Sequence, residues 1–180
     1  MNTTRWFDRK FEFSFGTDQF DPLLQRLQRA PDRLRAAIAG IAEDLLRQRP
    51  GEKWSVKENI GHLVVLEPLW QQRVLDIKAR KTELSPADLN NGATDEGQFN
   101  GRPVEELLNT LAAAREQTVR LLEGIQPEDH QFAALHPRLG QPMRIVDHMY
   151  FVAEHDDHHL ATIGALLKTP NLRTFGGTKS

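Results

Sequence analysis

The stretch Trp54-Ser55-Val56-Lys57-Glu58-Asn59-Ile60-Gly61-His62-Leu63 decides the fold, because it marks the start of a long amphipathic helix. Ser55 and Glu58 stand at the spacing of a capping box, in which each side chain satisfies an otherwise orphaned backbone donor. Beyond them Val56, Ile60, Leu63, Leu66, Trp70 and Val74 recur at intervals of three and four, so one face of a helix running to about Ala79 is apolar. His62 flanks that stripe rather than facing away from it. Pro68 lies inside the segment and removes the hydrogen bond to the Val64 carbonyl, which predicts a kink.

Upstream, Leu23, Leu24, Leu27, Leu34, Ile38, Ile41, Leu45 and Leu46 carry the same periodicity from Phe20 to Gln48, with a break or bend expected at Pro31. Before that helix, Phe11, Phe13 and Phe15 alternate in an aromatic arm, residues 1–19, suited to lie extended over apolar surface or to join a dimer contact. Downstream, Lys81 to Gly101 is rich in Asn and Gly and reads as a long loop, a type of segment that is often functional. Pro103 suits the first turn of a third helix ending near Gly124. A second loop, Pro127 to Gly140, precedes a fourth helix from Pro142 to Lys168, closed by Pro170. The predicted architecture is an all-α four-helix bundle over residues 20–170, with a tail at 171–180. The long inter-helix loop means that the bundle need not be simple up-and-down.

Composition narrows the function classes. The 180 residues carry 23 basic and 25 acidic side chains, a net charge of −2 that offers no basic stripe for nucleic acid. Arg26, Arg29, Arg33 and Arg35 read as a solvated helix face. The longest uncharged apolar run, Ala36 to Ala42, is far short of the roughly 18 residues that span a bilayer. No apolar segment follows the charged start at Arg5, Asp8, Arg9 and Lys10, so no secretory signal is visible. There is no cysteine, so a metal must be held by His, Asp or Glu, and any thiol chemistry needs an external thiol. A cytoplasmic setting fits this composition.

Three of the seven histidines fall in His155-Asp156-Asp157-His158-His159-Leu160. On a helical wheel with Met143 at zero, the apolar residues centre near about 240°, His155 falls near about 120°, His159 near about 160° and His158 near about 60°. His155 and His159 therefore share the edge of the buried face, about 6 Å apart along the axis, an H-x-x-x-H pair suited to one metal. His158 points towards solvent. A third ligand must come from another helix, and His62 is the candidate. Three neutral imidazoles leave positions open for water or substrate. His148 faces the same edge but lies too far along the axis to share the ion, and reads as cleft lining, a substrate contact or a proton carrier. His130 and His136 fall in a loop and read as solvated.

Two acids occupy apolar positions. Asp156 falls near about 220° on the last helix and Glu67 lies between Leu63 and Trp70. Burying a carboxylate is costly unless it is paired. Asp156 could orient a ligand imidazole through its second nitrogen, and Glu67 could act as general base or substrate anchor. For both, an ion pair with an internal Arg is the equal alternative.

These blocks resemble the DinB-like, or YfiT-like, metalloprotein superfamily. Residues 54–63 are similar to the family's W-S-x-x-E-x-x-x-H-L, and residues 155–160 to its H-D-x-H-H-L. The resemblance spans roughly residues 20–168 and implies a metal triad of His62, His155 and His159. It also implies a four-helix bundle, often a homodimer, binding a divalent ion such as nickel, zinc or iron. Activities in the superfamily include transfer of bacillithiol or mycothiol activated as a metal-bound thiolate, sulfoxide formation by iron enzymes and maleylpyruvate isomerisation; other members are described as metal-dependent hydrolases. Activation of a low-molecular-weight thiol for S-transfer is the first expectation here. Hydrolysis of a small-molecule substrate by metal-activated water is the second, and a non-catalytic metal-binding bundle the third.

Overall fold

The computed structural model describes residues 5–168; residues 1–4 of the arm, Pro170 and the tail at 171–180 lie outside the described residues. Four long helices form the bundle: α1, Phe20–Ile38; α3, Val56–Lys78; α5, Val104–Glu123; and α6, Ile145–Lys168. Two short helices lie in the connections, α2 at Glu43–Leu46 and α4 at Gly92–Glu96. A small antiparallel hairpin pairs β1, Ala133–Leu135, with β2, Pro142–Arg144. No helix among the described residues is long and apolar enough to cross a membrane.

Side-chain pairings fix the direction of each helix. His62 meets His159 while Trp70 meets His148, so α3 and α6 are antiparallel. Arg26 pairs with Glu154 and Arg33 with Asp157, so α1 and α6 run together. Arg35 pairs with Glu105 whereas the Leu27 carbonyl meets Arg115, so α1 and α5 are antiparallel. The order is up, down, down, up, and α3 and α5 are parallel neighbours. Their connection, residues 79–103, must therefore return along the bundle, a helix length of about 34 Å at 1.5 Å per residue. That is the physical reason for the long loop, and its return carries α4 past the N-terminal half of α3. The ion pairs of Arg26, Arg33 and Arg35 also account for the basic face of α1.

Several boundaries differ from the periodicity. The first helix stops at Ile38 instead of continuing to Gln48, because Gly40 adopts a φ of 76° that ends the helical path before α2 begins. Pro31 does not break α1. The carbonyl left free by its missing N–H belongs to Leu27, and Arg115 donates to that oxygen at 3.1 Å, which offsets the lost bond. The last helix begins at Ile145 rather than Pro142, since residues 142–144 pair with β1. Asp147 then accepts from the Arg144 backbone N–H at 2.9 Å at the helix start.

The aromatic arm lies against α6, with Phe11 buried, Phe13 and Phe15 half-buried, and Glu12 and Ser14 exposed between them. Phe11 contacts Phe151 at 5.0 Å between ring centroids and Phe15 contacts Tyr150 at 5.1 Å. The core forms two apolar clusters, one around Leu27, Trp70, Val74 and Val152, the other around Leu34, Ile60, Leu108 and Ile163. A buried polar layer joins all four helices. Arg115 donates to Glu67 at 2.8 and 2.5 Å, to Asp156 at 2.6 and 3.1 Å and to the Leu27 carbonyl, and Thr118 donates to Glu67 at 2.5 Å.

Candidate metal centre

His62 lies on the second turn of α3 and His155 and His159 near the middle of α6, and the antiparallel packing brings them together. One ring nitrogen from each falls within 4.8 Å of the others, and all three residues are buried. His158, at the same level of α6, is half-buried and does not join them. The wheel's separation of His159 from His158 is thus realised in three dimensions.

The hydrogen bonds prepare these rings as ligands. Nδ1 of His159 lies 2.8 Å from the Asn59 side-chain oxygen, which can only accept, so the proton is on Nδ1 and the Nε2 lone pair is free. Asn59 is itself fixed, because its amide nitrogen donates to the Ser55 carbonyl at 2.7 Å and the Trp54 carbonyl at 3.4 Å. Nδ1 of His62 lies 2.9 Å from the Thr94 hydroxyl on α4, a contact that leaves its Nε2 to the triad. His155 Nδ1 is buried and has no hydrogen-bond partner among the described residues. An orphaned imidazole nitrogen beside two oriented ones is a donor set that fits a divalent ion.

Electrostatics favour the same state. Burial pushes His62 down to about 4, against a small opposing pull from Asp95. Burial and the neighbouring histidines hold His155 and His159 well below the ordinary histidine value. All three rings are therefore neutral near pH 7, the form that binds metal.

All three tryptophans of the chain wall the cluster. Trp54 is 4.8 Å from His62 between ring centroids, and Trp6 and Trp70 are 4.8 and 5.7 Å from His155. Two of the cavities at the histidines reach His155. One of about 380 Å³ touches all three, with Trp54, His158 and Lys53 on its wall. The other, of about 210 Å³, touches His62 and His155 and continues to Trp70, Arg73, His136 and Arg138. Gly61 allows the return loop to close over α3: a Cβ there would lie 2.2 Å from the Phe99 ring, so only glycine admits that approach.

Other residues singled out from the sequence lie elsewhere. Glu67 and Asp156 both bind Arg115, so the internal ion pair is the arrangement built, and Asp156 does not orient an imidazole. Asp156 projects away from the cluster because adjacent helix positions diverge by about 100°. His148 is also buried in the bundle, where its Nε2 donates to the Trp70 carbonyl at 3.0 Å, and it lines neither of the two cavities. His136 was expected in solvent but is 2% exposed, because β1 carries it down onto Arg73 of α3. Asn59 and Trp54 were within the quoted block but carried no chemistry in it. Thr94, Trp6 and Arg138 had no local signal, since the loop, the arm and the hairpin bring them to the site, and Arg73 of α3 had none because its partner His136 is distant in sequence.

An up-down-down-up bundle with three neutral imidazoles from two helices defines a helical protein with a candidate divalent-metal centre. The chain belongs to the DinB superfamily, whose family profile matches residues 26–163. Its fold is similar to that of YfiT from Bacillus subtilis, with a TM-score of 0.76 and 20% identity over 89% of this chain and 92% of that one. YfiT is described as a probable metal-dependent hydrolase with an unusual four-helix bundle topology. No curated protein matches the chain.

Proposed function

We propose that the chain is a metal-dependent enzyme in which Nε2 of His62, Nε2 of His159 and a ring nitrogen of His155 hold one divalent ion, nickel, zinc or iron. The observation that carries this reading is the convergence of three buried, neutral rings on a point open to two cavities. When bound, the ion lowers the pKa of a coordinated thiol or water towards neutrality and so supplies a nucleophile. Asn59 and Thr94 hold two of the rings in the ligating orientation, and the tryptophan walls limit the water around the cluster.

Transfer of an external low-molecular-weight thiol to an electrophile is the first reading, because the chain has no cysteine to supply sulfur itself. Metal-assisted hydrolysis is the second, favoured by the description of YfiT. The homodimer implied by the resemblance and the cytoplasmic setting that the cysteine-free composition fits belong to the same proposal, and light scattering tests the first of them.

Metal analysis of protein purified without added ions tests the centre. Substitution of His62, His155 or His159 by Ala should abolish bound metal, whereas His158→Ala should retain it; equal loss in His158→Ala overturns the assignment. Turnover of an electrophile only when a thiol is present supports transfer. Ester or amide cleavage without thiol supports hydrolysis, and a fully loaded protein inactive in both assays supports the non-catalytic bundle.

A further inference from the structure

The smaller cavity has a wall that the metal reading does not use. Arg73 is 1% exposed, with Nε donating to the Ser85 carbonyl at 2.9 Å and Nη1 donating to Nε2 of His136 at 3.0 Å. Burial together with the two arginines keeps His136 neutral, pushed down to about 3. Arg138 lies on the same wall, its guanidinium 5.3 Å from the Phe7 ring and 6.0 Å from the Phe151 ring, and its Nη2 is buried without a hydrogen-bond partner among the described residues.

Neither guanidinium forms an ion pair among the described residues, whereas those of Arg26, Arg49, Arg115 and Arg144 each do. The carboxylate on this wall, Asp88, is engaged by the backbone N–H groups of Asn90 and Gly92. Asp76 attracts Arg73 but gives its oxygens to Lys81, Gln72 and the Ser85 N–H. Burial, only partly offset by Asp76, and repulsion from Arg138 push Arg73 down to about 10. A buried guanidinium and a half-buried one thus face one cavity beside a carboxylate already held by backbone N–H groups, an arrangement that an incoming anion relieves.

We propose that Arg73 and Arg138 form an anion subsite that takes the carboxylate or phosphate group of a compact substrate whose other end reaches His62 and His155. Guanidinium forks suit both oxyanions bidentately. The cavity, at about 210 Å³, is below the roughly 300–1,000 Å³ of pockets for drug-sized ligands, so the substrate is small. His136 acts as a positioning residue for Arg73. The word substrate rests on the proposed function; anion binding itself does not.

Trp70 lines this cavity alone, Trp6 lines both cavities and Trp54 only the larger one, so a shift of the Trp70 indole N–H signal in NMR with Trp54 unmoved reports binding at this place. Inorganic phosphate, succinate and uncharged succinamide are titrated into the protein as purified and again after chelation. Saturable shifts of the Trp70 signal by phosphate or succinate with Trp54 unmoved, persisting after chelation and absent with succinamide, support the subsite. Response to one anion alone assigns the group. Arg138→Gln should weaken binding by about tenfold or more with metal content unchanged, and Arg138→Lys should recover part of it. No saturable shift with either anion, equal affinity in a folded Arg138→Gln, or succinamide binding as tightly overturns the proposal. Each of those failures with bound metal intact leaves the metal reading standing, and absence of metal from the wild type leaves the anion result standing.

Discussion

Asn59 aims its side-chain oxygen at Nδ1 of His159 at 2.8 Å and is locked there by donating its amide to the Ser55 carbonyl. The capping turn of α3 thus sets the tautomer of a histidine on α6. Removing the acceptor with Asn59→Leu should weaken metal binding by about 10–100-fold, the usual consequence of losing an outer partner of a ligand imidazole. Asn59→Asp, which still accepts from Nδ1, should retain most of the affinity. Competition against a chelator of known affinity measures both, and an unchanged Asn59→Leu would separate Asn59 from the centre.

Stability should fall as pH is lowered through the histidine range. His62 is held at about 4 in the folded chain against an ordinary value of 6.5, so between those limits the unfolded chain binds the extra proton. Stability is therefore complete above about pH 6.5, declines down to about pH 4 and then levels off for this group, a contribution on the order of 3 kcal/mol. His136 and His148, each pushed down to about 3 mainly by burial, extend the decline further. Urea unfolding of metal-free protein at a series of pH values reads the slope; stability that rises on acidification would contradict the buried neutral rings.

Gly61→Ala should be disproportionately harmful for a one-carbon change. The added Cβ would lie 2.2 Å from the Phe99 ring, and Phe99 anchors the return loop that delivers Thr94 to His62. Overpacking of this kind costs about 1–3 kcal/mol, and here it should also lower metal affinity. Thermal unfolding and metal titration of the variant should change together. A stability loss with unchanged affinity would detach the loop from the centre.

Arg115 pairs with two buried acids and caps the carbonyl freed by Pro31. Arg115→Met should cost about 3–5 kcal/mol in urea unfolding, because it strands carboxylates where water cannot reach them. Glu67→Gln should cost less, since the amide oxygen still accepts from Arg115 and the amide NH2 can donate to the Thr118 hydroxyl. If Glu67→Gln instead removes the acidic limb of the pH–rate profile of the active enzyme, Glu67 acts as the general base that its position in the stripe allows.

The local code settled much of this protein. The capping box at Ser55 and Glu58 set the start of α3, and three-and-four spacing gave four rods because a bundle helix must hide one apolar face. The same geometry separated His155 and His159 from His158, since residues four apart on a helix share a side and adjacent residues do not. What lay beyond it was whatever depends on contacts distant in sequence. A wheel could put Asp156 on the buried face but could not say that Arg115 awaited it there, or that Arg115 would also repair the helix at Pro31. His136 read as solvated for the same reason: a three-residue strand has too few positions to show a period, and its burial comes from packing on Arg73. The parallel course of α3 and α5 decided the rest. By forcing residues 79–103 back along the bundle, it brought Thr94 to His62, while packing of the arm and hairpin on α6 closed Trp6 and Arg138 around the cavity.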